Sequence, residues 1–226
     1  MSRSAPPVAP VREQRLDTAL AGSASSILSI DTRKTLRREM RARRGAQPPH
    51  DQRMASQRAC ARLARSRWFQ ISRTLSAYWP VGGELDLRPL LQLALRLGKH
   101  VYLPVVEATE RRLRFARYAA GDALCVSRYG LSEPREGAGR LIEPRRLDLV
   151  LLPLVAFDAR GTRLGMGGGY YDRTFAGFGA RTSWRGPRLV GVAFELQRVS
   201  TLERASWDVP IDAVVTDRAT YRFMQE

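Results

Sequence analysis

The densest concentration of chemical potential lies between Arg163 and Arg173, "RLGMGGGYYDR", where four of eleven residues are glycine and two tyrosines and an aspartate follow directly. Glycine loses more backbone freedom on ordering than any other residue, so such a run implies that something must approach the main chain closely. The bare N–H groups of a glycine loop leading into a helix suit an anion, and phosphate is the natural one. Gly165, Gly167, Gly168 and Gly169 supply the loop, Tyr170 opens the helix, and Asp172 falls in its first turn. An acid there either complements the helix dipole or, beside phosphates, serves as a hard oxygen ligand for a cation. Arg163 and Arg173 are the local cations. Two familiar fingerprints are absent: a P-loop would end in Gly-Lys-Ser/Thr, and G-x-G-x-x-G would need glycine at Tyr170. A tight turn that serves close packing alone is the competing reading.

Other chemistries find little support. His50 and His100 belong to no motif, and no Ser-His-Asp or zinc-ligand spacing can be assembled. Cys60 and Cys125 lie far apart and fit free thiols in a reducing cytosol. No apolar run reaches 18 residues, and the first twenty residues are broken by prolines and charges, which argues against a membrane span or a signal peptide. The net charge of +16 suggests nucleic acid at first. Its distribution argues otherwise. Residues 1–67 hold 15 basic and 5 acidic side chains, and only Lys34 and Lys99 are lysines. That bias fits an arginine-rich composition better than a footprint, and a polyanionic small molecule is the better partner.

These residues need a scaffold to position them. Residues 1–30, rich in Ala, Ser and Pro, read as a disordered tail, with order beginning at Asp31 as a helix N-cap. A short helix follows with Leu36 and Met40 four apart. A second follows Pro48-Pro49, with Met54, Ala61, Leu63 and Ala64 turned inward. Then strands and helices alternate: "TLSAYWP", helix to Gly98, "HVYLPVV", the half-exposed "RLRFARYA", the long apolar "LDLVLLPLVAF", then the glycine loop and helix, "RLVGVAF" and "DAVVTD". The chain is therefore expected to be a single α/β domain over residues 31–226, with a largely parallel sheet flanked by helices. "DARGT" (158–162) is a turn between the longest strand and the loop, so the loop falls at a strand's carboxyl end, where open α/β sheets bind ligands.

The loop with its preceding "LPLVAFDARGT" resembles the signature of the 5-formyltetrahydrofolate cyclo-ligase family. "RKTLRREMRARR", "YWPVGGELD", "GLSEP" and "VPIDAVVTD" resemble further family segments in the expected order, over residues 33–217. The resemblance implies an ATP- and Mg2+-dependent cyclisation of 5-formyltetrahydrofolate to 5,10-methenyltetrahydrofolate, with ADP and phosphate as products, by a cytoplasmic enzyme expected to be a monomer. It implies ATP contacts at Arg33, Lys34 and Arg37, with either Arg33 or Lys34 as the leading cation. Further ATP contacts fall at Arg163, Leu164, Gly165, Met166, Gly167, Gly168, Gly169, Tyr170 and Tyr171. Folate contacts fall at Arg37, Trp79, Glu84 and the stretch Met166 to Tyr170. Glu84 would read the pterin, since a carboxylate accepts two hydrogen bonds from a 2-aminopyrimidine edge. Asp172 and Asp212 would be the Mg2+ positions, and Arg37 and Asp172 the catalytic pair. Ordinary roles stand beside these: a core tryptophan at 79, a strand-end cap at Asp212, and a solvated helix face at Arg38, Arg41, Arg43 and Arg44. Two rivals remain on this reading, a phosphosugar or coenzyme A ester enzyme of similar architecture and a basic RNA-associated protein.

Overall fold

The computed structural model describes residues 32–127, 130–135, 141–178 and 186–223. Contacts divide the chain into two units, 1–36 and 37–226. Of the first, residues 32–36 are described and are helical; the expected tail and the Asp31 cap lie outside the described residues.

The second unit opens with helix α1 (residues 37–45), which carries one fully buried apolar side chain, Met40. Helix α2 (Pro49–Ala64) follows, with proline where the first-turn N–H would have no partner. Its buried face is Ala55, Ser56, Ala59, Cys60 and Leu63, a run of 3–4 spacing that leaves Met54 and Ala61 exposed, contrary to expectation. The helix also stops sooner than its pattern suggests. Ser66 Oγ accepts from Phe69 N at 3.2 Å and caps a separate short helix, α3 (Arg67–Ile71). Strand β1 (Thr74–Ala77), helix α4 (Arg88–Arg96), and strands β2 (His100–Glu107) and β3 (Arg112–Tyr118) come next. Then follow β4 (Leu124–Val126), β5 (Ser132–Pro134), β6 (Leu141–Ile142), β7 (Leu149–Pro153), β8 (Ala156–Phe157) and β9 (Arg163–Leu164). Helix α5 (Tyr170–Phe175) and strands β10 (Arg188–Val192), β11 (Ala213–Val215) and β12 (Thr220–Arg222) complete the fold.

Eight strands form one sheet in the order β12-β11-β10-β7-β1-β2-β3-β6. The run β11-β10-β7-β1-β2 is parallel, and β12, β3 and β6 add antiparallel edges. Strict alternation divides its side chains between two cores. Leu149, Leu151, Val190, Val192, Ala213 and Val215 face α2, α3 and α4. Val150, Leu152, Leu189 and Val214 face the layer built with Phe175 of α5. The near-continuous apolar runs are thus central parallel strands buried on both faces. The short elements β4–β6, β8–β9 and β12 are the ones the sequence pattern does not announce.

The functional loop is launched from this frame. β7 ends at Pro153, and the β8–β9 hairpin returns the chain around Asp158, whose carboxylate accepts from Arg160 N at 2.9 Å and Thr162 N at 3.0 Å. Gly161 has φ +82, and a Cβ there would lie 2.6 Å from the Phe223 ring, so only glycine closes this turn.

Candidate functional site

The glycine loop is shaped by the arginines around it. Arg37 Nε donates to Gly165 O at 2.9 Å, Arg41 Nη2 donates to Met166 O at 3.4 Å, and Arg173 Nη2 donates to Gly168 O. Three loop carbonyls are therefore taken by guanidinium groups. The amides of residues 165–169 donate to no acceptor among the described residues. Consecutive N–H groups left in this way form an anion-binding concavity.

The glycines have different reasons. Gly167 and Gly169 sit at φ +104 and +62, in the region that disfavours other residues. Gly168 does not adopt a positive φ; there a Cβ would lie 2.7 Å from the Tyr170 ring. The Tyr170 ring in turn faces Arg173, whose guanidinium lies 5.4 Å from its centroid. Helix α5 is only six residues long, so the donors for an anion are chiefly the loop amides rather than a long helix dipole.

A second cluster ties the start of α5 down. Arg163, only 6% exposed, ion-pairs with Asp172 and also donates to Val209 O. Asp172 Oδ1 accepts Val209 N at 3.1 Å, while Oδ2 accepts no hydrogen bond among the described residues. The loop and the strap before β11 are thereby joined. Between them lies a cleft of about 690 Å³, lined by Gly167, Gly169, Asp172, Arg204, Trp207 and Val209 among others.

The third cluster follows the carboxyl end of β1. Val81 to Glu84 form a turn in which Val81 N donates to Glu84 Oε2 at 3.2 Å. Burial pushes the Glu84 carboxyl up to about 7, against the opposing pull of the Val81 N–H and the Arg44 and Arg41 charges. Burial likewise raises the Tyr78 and Tyr171 hydroxyls, and the Glu84 charge adds to both shifts. Arg44 is 3% exposed and donates through Nη2 to Gly82 O at 2.7 Å, so burial lowers its guanidinium pKa. Arg44 is therefore not part of a solvated face, whereas Arg41 is exposed as expected and reaches the glycine loop from that face. Arg44 sits four residues after buried Met40, on the stripe that already includes Leu36, and that spacing was the signal for it. Trp79 is half-buried, edge-on to Tyr118 at 5.7 Å, with Arg88 5.9 Å from its ring centroid.

The remaining candidates are placed as follows. Tyr171 stacks on Phe175 at 6.5 Å, and Leu164 is buried in β9. Arg33 and Lys34 belong to the first unit, half-buried and exposed respectively. Asp212 is buried just before β11, where Oδ1 accepts from Arg188 Nη1 at 2.8 Å and Oδ2 from Leu189 N at 2.7 Å. It is not among the residues that line the cleft. No group of three or more His, Cys, Asp or Glu that could hold a metal ion forms among the described residues. No helix among them is long and apolar enough to cross a membrane, and Cys60 and Cys125 are free. The strap with Arg204 and Trp207 was missed because no periodicity or turn motif marks it.

The structure is an α/β fold with a cleft of small-molecule size beside its glycine loop. The model of the 5-formyltetrahydrofolate cyclo-ligase family matches residues 29–217. The 5-formyltetrahydrofolate cyclo-ligase of Escherichia coli is 37% identical over 180 residues, covering 78% of this chain and 96% of that protein. The Haemophilus influenzae 5-formyltetrahydrofolate cyclo-ligase is 31% identical over 187 residues, covering 81% and 97%. The solved structure of Aquifex aeolicus 5,10-methenyltetrahydrofolate synthetase superposes with a TM-score of 0.73 at 32% identity, covering 86% of this chain and 94% of the other. The chain belongs to the 5-formyltetrahydrofolate cyclo-ligase family, a family of ligases.

Proposed function

We propose that this protein cyclises 5-formyltetrahydrofolate to 5,10-methenyltetrahydrofolate in the cytoplasm, using ATP and Mg2+ and releasing ADP and phosphate. The observation that carries the reading is the run of amides 165–169 without acceptors among the described residues, held open by arginines on its carbonyls, in a chain that covers nearly the whole length of the Escherichia coli and Haemophilus influenzae cyclo-ligases. The loop amides would take the ATP phosphates. Glu84, in the same arginine-rich neighbourhood, would receive the pterin edge as a carboxylate. The formyl oxygen would then attack the γ-phosphorus, ADP would leave, N10 would close on the activated carbon, and the C–O bond would break to release phosphate. Positioning and charge neutralisation would supply most of the rate. Arg37 would orient the loop and meet both substrates.

Among the two candidate metal residues, Asp172 fits Mg2+ directly: it lines the cleft and keeps Oδ2 without a hydrogen bond among the described residues. Asp212 would have to exchange its Arg188 and Leu189 partners. Mg2+ held there with phosphate oxygens would supply charge neutralisation at the transferred phosphoryl group. The test is direct. Mixing protein, ATP, Mg2+ and 5-formyltetrahydrofolate is expected to raise the methenyltetrahydrofolate absorbance; no ATP-dependent rise would defeat the reading.

Two further outcomes are expected. Removing residues 1–30 is expected to leave turnover near normal, because the family match opens only at residue 29. A folded truncation that lost most of its rate would contradict this. Glu84→Gln is expected to weaken folate binding by about 10- to 100-fold, since a charge-assisted hydrogen bond is worth roughly 1.5–3 kcal/mol, with ATP affinity unchanged. The same variant has a pH signature without ligand. A carboxyl raised in the folded state opposes folding once it ionises. The cost is absent below about 4.5, grows as pH rises toward 7, and is constant above. Glu84→Gln should therefore gain stability relative to the parent across that window, by about 2–3 kcal/mol at its upper end. Unchanged folate affinity in calorimetry, or parallel pH–stability curves, would remove Glu84 from this role.

A further inference from the structure

The cleft that Gly167 and Gly169 line is also lined by Trp207, which is 71% exposed. Two other tryptophans with described surroundings have their rings engaged. Trp68 lies 5.3 Å from the Arg222 guanidinium, and Trp79 meets Tyr118 and Arg88. Trp207 has no ring or cation partner among the described residues. It is nevertheless held in a defined place. It sits in a turn where Asp208 N donates to Ala205 O at 3.0 Å and Ala205 N donates to Asp208 Oδ2 at 2.9 Å. The turn is anchored from below by the Val209 N–H on Asp172 and by Arg163 on Val209 O. The same carboxylate thus fixes both the start of α5 and the strap bearing the indole.

We infer that Trp207 is the stacking platform for the purine base of the nucleotide, with the phosphates on the loop that lines the same cleft. The inference rests on the proposed use of ATP and adds the subsite that reads its base. Three observations favour a nucleotide base over the pterin. The cleft contains Gly167, Gly169 and Asp172, whereas Trp79 and Glu84, the pterin-side candidates, are not in its lining. Its volume of about 690 Å³ is more than a triphosphate alone fills and lies within the range of cofactor-sized pockets. Arg204 and Ser206 lie beside the indole, so the strap offers polar groups for the sugar and phosphate next to an apolar face for the base. A base of any identity has a π-face, so the platform gives affinity with tolerance, and discrimination between purines must come from elsewhere.

The test uses the full-length protein with Trp207→Ala and Trp207→Phe, and three ligands: ATP, inorganic tripolyphosphate and 5-formyltetrahydrofolate. Loss of a base–aromatic stack is expected to raise the ATP Kd of the alanine variant about tenfold or more. Phenylalanine should recover most of that loss. Tripolyphosphate, which has no base, should bind the parent and both variants alike, and the folate Kd should not move. Because the residue is exposed, melting temperatures are expected to stay at the parent's value. Unchanged ATP affinity in Trp207→Ala, with ATP still bound by the parent, overturns the platform and leaves the proposed function standing. Weakened folate binding with unchanged ATP binding also overturns it and assigns the indole to the other substrate. Equal loss for ATP and tripolyphosphate overturns it as well, since the strap would then act on phosphates. Failure of the parent itself to bind ATP removes both readings together.

Discussion

Asp172→Asn is expected to cut turnover by about a hundredfold or more and to raise the Mg2+ concentration needed for half-maximal rate. An ion neutralising the transferred phosphoryl group contributes several kcal/mol to the transition state, and an amide cannot hold a hard cation as a carboxylate does. The structure adds a second effect to this substitution. Arg163 is 6% exposed and Asp172 is 20% exposed, so loss of the negative charge leaves a buried guanidinium without its ionic partner. Breaking such a pair by removing one partner is strongly destabilising, here by up to about 3 kcal/mol because the carboxylate is partly solvated. A lowered melting temperature is thus expected alongside the loss of rate, and it does not identify the role. The deciding measurement is the initial rate per folded molecule against Mg2+ concentration, taken well below both melting points. A near-normal rate with the parent's Mg2+ dependence would mean that Asp172 only ties α5 to the strap.

Gly168→Val is expected to bring ATP binding below detection while the sheet remains folded. A Cβ at this position would lie 2.7 Å from the Tyr170 ring, which also has the Arg173 guanidinium 5.4 Å from its centroid. The ring would have to move, and Arg173, which also donates to Gly168 O, would move with it. The carbonyl that this contact orients would turn, and so would the amides beside it. The second methyl branch would fill space where phosphate oxygens are expected. Titration calorimetry with ATP, together with the far-ultraviolet circular dichroism of the variant, checks both halves. Normal ATP affinity in a folded variant would make the loop a packing device and remove the main support for the proposed chemistry.

Much of this architecture can be read from periodicity. The central strands β7, β10 and β11 are apolar at nearly every position, which only a sheet covered on both faces tolerates. The apolar run "LDLVLLPLVAF" is broken, since β7 ends at Pro153 and Ala156–Phe157 pair with Arg163–Leu164 in a separate hairpin. The glycine loop therefore follows that hairpin rather than the central strand itself, although its composition alone points to an anion. What escaped was set by tertiary context. The strands β4, β5, β6, β8, β9 and β12 are two to three residues long, too short to show a period. Met54 lies beside the inward face of α2 rather than on it, because the buried stripe runs through Ala55, Ser56, Ala59, Cys60 and Leu63. Arg44 looked like one more charge in an arginine run, yet it occupies the apolar stripe and is buried against Gly82. The Asp172–Arg163–Val209 tie joins segments 37 to 46 residues apart in sequence, and neither composition nor spacing reveals such a pairing.

The Phe223 ring beside Gly161 has a consequence for the order in which the protein can be made. Phe223 lies beyond the last strand, and its N–H donates to Asp212 O, at the foot of β11. Its ring fills the space above the turn that leads into the glycine loop. A nascent chain can therefore lay down α1, β1 and the Val81–Glu84 turn, and even synthesise the loop itself, well before it can seat that turn. The turn that launches the glycine loop is packed only after synthesis has passed residue 223. A polypeptide that stops short of Phe223 would thus lack the packed turn from which its glycine loop is launched, so synthesis of this residue is also the point after which that part of the cleft can take its final shape.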